Sequence, residues 1–172
     1  AWPLEQVLCL GLHAAPLARL QTHLAPGQRI IVLLRDGAAV GDLAHWLKAQ
    51  GFGGSDLNVM EALGGPRERV RQTTAMDYDL GDVAHPVAVG LRVKGNGAVV
   101  PRATGRPDAM FDNDGQITKR PVRALTLSAL APCAGEHLWD IGAGSGSIAI
   151  EWLLAHPAMR ATAIEADAGR AT

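Results

Sequence analysis

The sequence predicts an α/β protein, on three observations. Short apolar runs, several of them β-branched, alternate with helix-spaced segments through the first half. A strand, a glycine-rich turn and a helix follow one another near the end, over residues 138–151. Apolar residues make up 48% of the 172 and charged residues 19%, so the chain can fill a core and is too apolar for a disordered one. Alternation of strand and helix signals is the pattern of α/β architectures.

The elements follow in order. Val7-Leu8-Cys9-Leu10 is a short strand signal ending at Gly11. Leu17, Leu20 and Leu24 give Pro16–Leu24 a helical spacing. Arg29–Leu34 is a continuous apolar run, the pattern of a strand covered on both faces. After the Asp36-Gly37 turn, Val40, Leu43, Ala44 and Leu47 share one face of a helix over Ala39–Gln50, which Gly51, Gly53 and Gly54 terminate. Leu57–Leu63 is the next strand, broken by Gly64-Gly65-Pro66. Arg67–Thr73 reads as a polar helix turn with Pro66 at its first position. Pro86–Val93 is the last strand of this half. Residues 94–108 are rich in turn formers and place a domain boundary, giving a first domain over 1–97 and a second over 98–172. Pro121–Leu130 is a helix with Val122, Leu125, Ala129 and Leu130 in its apolar stripe. Thr118 stands just before it, where a hydroxyl can cap.

Composition narrows the function. The formal net charge is −1, from 16 basic and 17 acidic side chains, with neither the basic excess nor the basic run of a nucleic-acid binder. No apolar stretch reaches the ~18 residues of a membrane span, and there is no signal-peptide pattern, so a cytoplasmic location is expected. Cys9 and Cys133 form no CxxC pair and read as two small buried hydrophobes. The six histidines show no metal-ligand spacing, so no metal is expected. A start at Ala1-Trp2-Pro3, without Met, is expected of an internal piece of a longer chain.

Chemistry concentrates in Leu138-Trp139-Asp140-Ile141-Gly142-Ala143-Gly144-Ser145-Gly146-Ser147. Glycines let such a turn adopt unusual dihedrals and let a ligand approach the backbone. The next strand signal, Ala161–Ile164, runs into Glu165, twenty-three residues after Gly142. That spacing sets a carboxylate near a ribose bound over the turn, where it can accept from two hydroxyls. A dinucleotide fingerprint requires GxGxxG, but Ser147 occupies the third glycine position and the spacing is GxGxG. With Asp140 two residues ahead of the first glycine, the segment resembles the first motif of class I S-adenosylmethionine methyltransferases. An NAD-binding turn and a ligand-free structural turn are the alternatives.

Two further stretches extend the resemblance. Gly105-Arg106-Pro107-Asp108-Ala109-Met110-Phe111, with Gln116-Ile117-Thr118-Lys119 and Val122-Arg123-Ala124, resembles the start of the decarboxylating precorrin methyltransferases of cobalamin biosynthesis. Glu61–Val70 resembles a segment in the C-terminal lobe of the tetrapyrrole methylases that act at C5. The two are fused in this order in the family of precorrin-6Y C5,15-methyltransferases (decarboxylating). The resemblance covers essentially the whole chain. It implies an α/β fold in which the C-terminal lobe of a tetrapyrrole methylase precedes the start of a Rossmann-like class I methyltransferase sheet. The methylase's N-terminal lobe and the later strands of the seven-stranded sheet are absent from this sequence, so both active sites would be incomplete and the piece inactive alone.

The implied activity is S-adenosylmethionine-dependent methylation of the precorrin-6 macrocycle at C5 and C15, with loss of CO2 from the C12 acetate. The implied partners are the precorrin substrate and further copies of the chain, with no nucleic acid and no membrane. By the same resemblance Gly142, Ala143, Gly144, Ser145 and Gly146 form the cofactor loop, Glu165 holds the ribose and Thr118 contacts the cofactor. Asp140 either orients the loop or reaches the cofactor's ammonium through water. Lys119, Arg120 and Arg123 read as a solvated helix face or as cations that meet macrocycle carboxylates. Gly64 and Gly65 shape a turn, near the first cofactor cleft or as turn geometry alone. Trp2, Trp46, Trp139 and Trp152 read as core or interface residues. No catalytic acid emerges. A methyltransferase acting on protein or RNA, and an assembly module without activity, are the other functional readings.

Overall fold

The computed structural model describes residues 2–170. The chain divides into two compact units, residues 1–100 and 101–172.

The first unit is a five-stranded mixed sheet with one long helix. Its strands are β1 (Val7–Gly11), β2 (Arg29–Leu34), β3 (Asp56–Glu61), β4 (Arg69–Thr74) and β5 (Val87–Arg92), in the spatial order β1-β2-β5-β3-β4. Only β1 and β2 run parallel; β5 pairs antiparallel with both β2 and β3. Period-two alternation puts Ile30, Val32 and Leu34 of β2, Leu57 and Val59 of β3, and Val87, Val89 and Leu91 of β5 into one core. Helix α1 (Ala38–Ala49) adds Val40, Leu43, Ala44 and Leu47 to that core, the face its spacing predicts. Asp36 Oδ1 accepts from the Ala39 amide at 2.9 Å and satisfies an otherwise open donor of the first turn. Leu17–His23 is a 3₁₀ helix that delivers Leu20.

Two expectations fail here. Arg67–Thr73 forms no helical turn; Arg69–Thr74 is edge strand β4, paired along its length with β3. The reason is electrostatic. In a strand, residues two apart share a face, so Arg69 and Arg71 both reach the buried Glu61 carboxylate, at 2.8 and 2.9 Å. Cys9 is exposed, not buried, because it lies on the outer face of edge strand β1; Cys133 is exposed in the turn after the second unit's first helix.

The second unit holds α2 (Arg120–Leu130), β6 (His137–Ile141), α3 (Ser147–Leu153) and β7 (Arg160–Ile164), with a 3₁₀ turn at Asp108–Met110. Strands β6 and β7 pair in parallel, connected through α3, the βαβ arrangement that the glycine-rich segment predicts. Leu127, Trp152 and Met159 form the buried core, and the Trp152 indole N–H donates to the Arg160 carbonyl at 3.0 Å. Trp139 does not join it: its side of β6 is open, and the residue is 62% exposed. Among the described residues no helix is long and apolar enough to cross a membrane.

Candidate functional site

The site is built where β6 stops. The Gly142 and Ala143 amides both donate to the Ile164 carbonyl, at 2.8 and 3.1 Å, which ties the loop to the end of β7. Gly142, Gly144 and Gly146 take φ values of +79°, +57° and +67°, the left-handed region where a Cβ is costly. A side chain at Gly142 or Gly144 would meet nothing within 4 Å. Internal packing therefore leaves open space over these two glycines.

Glu165 leaves β7 and turns back onto the loop. Its Oε2 accepts the Gly144 amide at 2.7 Å and its Oε1 accepts the Asp167 amide at 2.9 Å. Those two amides, Asp167's first, hold its carboxyl below the usual carboxylate range. A carboxylate has about four acceptor positions, so Glu165 retains capacity on both oxygens. Behind the loop, Asp140 Oδ2 is shielded from solvent and has no hydrogen-bond partner among the described residues.

A cleft of about 670 Å³ opens above these groups. Loop residues 143–146, with Ile150, line one side and residues 110–114 another, while Ala163, Glu165, Gly169 and Arg170 complete it. Arg170 reaches Asp114 at 2.8 Å. The structure thus brings Ala143, Gly144, Ser145, Gly146 and Glu165 to one cleft, with Gly142 at the loop's start. Thr118 is not in the cleft lining. It is exposed, and its hydroxyl caps nothing: the helix N-cap is Lys119, without a side-chain cap bond.

Sequence reasoning missed the network beneath this cleft. Arg123 and Glu151 are both fully buried and paired at 2.9 Å. Glu151 also accepts the Gly105 and Arg106 amides at 2.7 and 2.8 Å and the Arg106 guanidinium at 3.3 Å. Arg123 is therefore neither a solvated helix residue nor free for a substrate carboxylate, whereas Lys119 and Arg120 are exposed. The available signal was Glu151 at an inward position of a short helix, where an unpaired carboxylate would be untenable.

Over 173 aligned residues, 99% of this chain, the sequence is 50% identical to a precorrin-6Y C(5,15)-methyltransferase [decarboxylating] from Sinorhizobium sp.. The chain is homologous to the precorrin-6Y C5,15-methyltransferases. A Mycobacterium tuberculosis protein of the same name is 42% identical over 156 residues, 89% of this chain and 39% of that protein. A cobalt-precorrin-6B C(15)-methyltransferase (decarboxylating) from Salmonella typhimurium is 51% identical over 49 residues, 28% of this chain and 26% of that protein. Residues 109–172 match the family described as the precorrin methyltransferase domain. The chain spans about two fifths of the length of the curated precorrin-6Y relatives, 42% of the Sinorhizobium protein.

Proposed function

We propose that this chain belongs to an enzyme that methylates a precorrin macrocycle at C5 and C15, with decarboxylation of the C12 acetate, in cobalamin biosynthesis. We assign residues 98–172 to the start of its class I methyltransferase domain and residues 1–97 to the C-terminal lobe of its tetrapyrrole methylase domain. The cleft at Gly142–Gly146 is its S-adenosylmethionine site. One observation carries that assignment: an open left-handed glycine loop whose central amide is held by the carboxylate following β7. The residues present fit the group. Glu165 has acceptor capacity for both ribose hydroxyls. The space over Gly142 and Gly144 admits a ligand against the backbone, and the unpaired Asp140 oxygen suits a cationic ligand nearby.

Bound there, S-adenosylmethionine supplies a methyl group already activated on a sulfonium. The chain's contribution is then position and exclusion of water rather than a protein nucleophile. Glu165 orients the ribose end, the loop fixes the opposite end, and residues 110–114 screen the cleft from one side.

The test is a calorimetric titration of S-adenosylhomocysteine into the protein in its natural reading frame, with NAD as control. Binding is expected for the unsubstituted protein and is expected to vanish in Gly144→Val and Glu165→Ala. Tighter binding of NAD, or binding indifferent to both substitutions, removes the methyltransferase assignment.

A further inference from the structure

Residues 110–114 form one wall of the cleft, yet the stretch that carries them, residues 105–118, holds no strand and only one 3₁₀ turn, Asp108–Met110. Backbone groups of such a segment need partners from elsewhere. Glu151 accepts the Gly105 and Arg106 amides, and Arg123 donates to the Arg106 and Thr118 carbonyls. The Arg123 guanidinium also binds Asp108 at 2.9 Å and lies 4.5 Å from the centre of the Phe111 ring. One side chain therefore touches this segment at residues 106, 108, 111 and 118. Its own anchor, Glu151, stands on α3, one turn beyond the residue that follows the glycine loop.

Stability alone does not call for this arrangement. A buried ion pair is commonly matched or exceeded by apolar residues of similar volume. Apolar packing cannot, however, fix four points of an irregular segment in direction as well as distance. A planar guanidinium with five donors can. Phe111 both contacts Arg123 and lines the cleft, so the clamp ends on the cleft surface. We propose that Arg123 and Glu151 are positioning residues that set the 110–114 wall against the glycine loop before cofactor arrives. Neither residue lines the cleft. The inference rests on the reading of that cleft as the S-adenosylmethionine site.

The test uses the protein in its natural reading frame and S-adenosylhomocysteine as the probe. Arg123→Lys keeps the charge and loses the fork; Glu151→Gln keeps the shape and loses the charge. Each is expected to raise the Kd about tenfold, the scale on which misplacement of site groups is felt. Leu127→Ala, a core truncation on the same helix, serves as the stability control and is expected to stay within about twofold when measured below its melting range. Hydrogen exchange on the unsubstituted protein supplies a readout that needs no variant to fold. The amides of Gly105, Arg106, Met110 and Phe111, each of which has an acceptor, are expected to be protected without ligand. Arg123→Lys binding no worse than Leu127→Ala, or free exchange of those four amides until ligand is added, overturns the clamp. Failure of the unsubstituted protein to bind the probe instead overturns the cofactor reading, and with it what the clamp positions.

Discussion

At the residue scale two carboxylates are buried among the described residues, and each is resolved by arginines that the sequence places at different distances. Glu61 meets Arg69 and Arg71 across a hairpin, while Glu151 meets Arg123 from a separate helix. Burial pushes the Glu61 pKa up. The Arg69 guanidinium, the Ala84 amide and the Arg71 guanidinium outweigh it and lower the value from 4.5 to about 2. The sign follows from linkage. A carboxyl with a folded pKa below its unfolded one contributes stability that is complete above the unfolded value and is lost as pH falls toward the folded one. Glu61 therefore stabilises the fold above about pH 4.5 and ceases to by about pH 2, a loss of roughly 2–3 kcal/mol. Glu61→Gln is expected to be less stable at pH 7, and its gap from the parent to shrink as pH drops from 5 to 2. Urea midpoints by circular dichroism across that range check it; a gap of constant size contradicts the argument.

At the element scale, the clearest constraint is the entry of residues 105–118 onto α2. Gly105 has φ +75°, and a Cβ there would lie 2.8 Å from the Ala124 Cβ and 3.2 Å from the Arg120 carbonyl. Gly115 has φ +97° but open space around it. Gly105→Ala thus carries backbone strain and a clash with the helix, Gly115→Ala the strain alone. The expected costs are about 2–4 kcal/mol and about 1 kcal/mol respectively; equal shifts in denaturant midpoint would refute the packing argument. Regular elements with a clear period, such as α1, β2, β5 and the β6–loop–α3 segment, were legible in the sequence, because one buried face imposes its repeat on the residues. β4 was not, because its alternation is of arginines rather than apolar residues, and their shared partner, Glu61, is visible only after the hairpin closes. The glycine loop and Glu165 were legible as a pair through their spacing. Arg123 was misread as a surface cation because helical position alone does not reveal a carboxylate arriving from α3.

At the scale of the whole molecule, what matters is where the chain is held and where it is not. The Asn96 and Gly97 amides donate to the Gly51 carbonyl at 3.2 and 3.1 Å, and Gln21 reaches the Ala98 carbonyl at 3.4 Å, so the first unit keeps its grip to about residue 98. The second unit takes hold at Gly105, through Glu151. Between them Pro101, Arg102, Ala103 and Thr104 are all exposed and outside any helix or strand. A protease needs several residues of extended, unpaired backbone, and segments of this kind supply them. Of the other basic residues, Arg69, Arg71 and Arg92 lie in strands, Arg123 is buried, and Arg106 and Arg120 precede proline, where trypsin does not cut. Arg67 and Lys94 are exposed outside any strand, but the first sits in a turn closed by the Glu68 amide on the Gly65 carbonyl, and Ser55 Oγ bonds both the amide and the carbonyl of the second. Limited trypsin digestion of the 172-residue chain is therefore expected to cut first after Arg102, leaving one fragment that carries the five-stranded sheet and another that carries the glycine loop. Mass spectrometry of the earliest products identifies the bond. A first cut after Arg123 would mean that the Arg123–Glu151 pair opens more readily than residues 101–104, against the buried network on which the cleft wall depends.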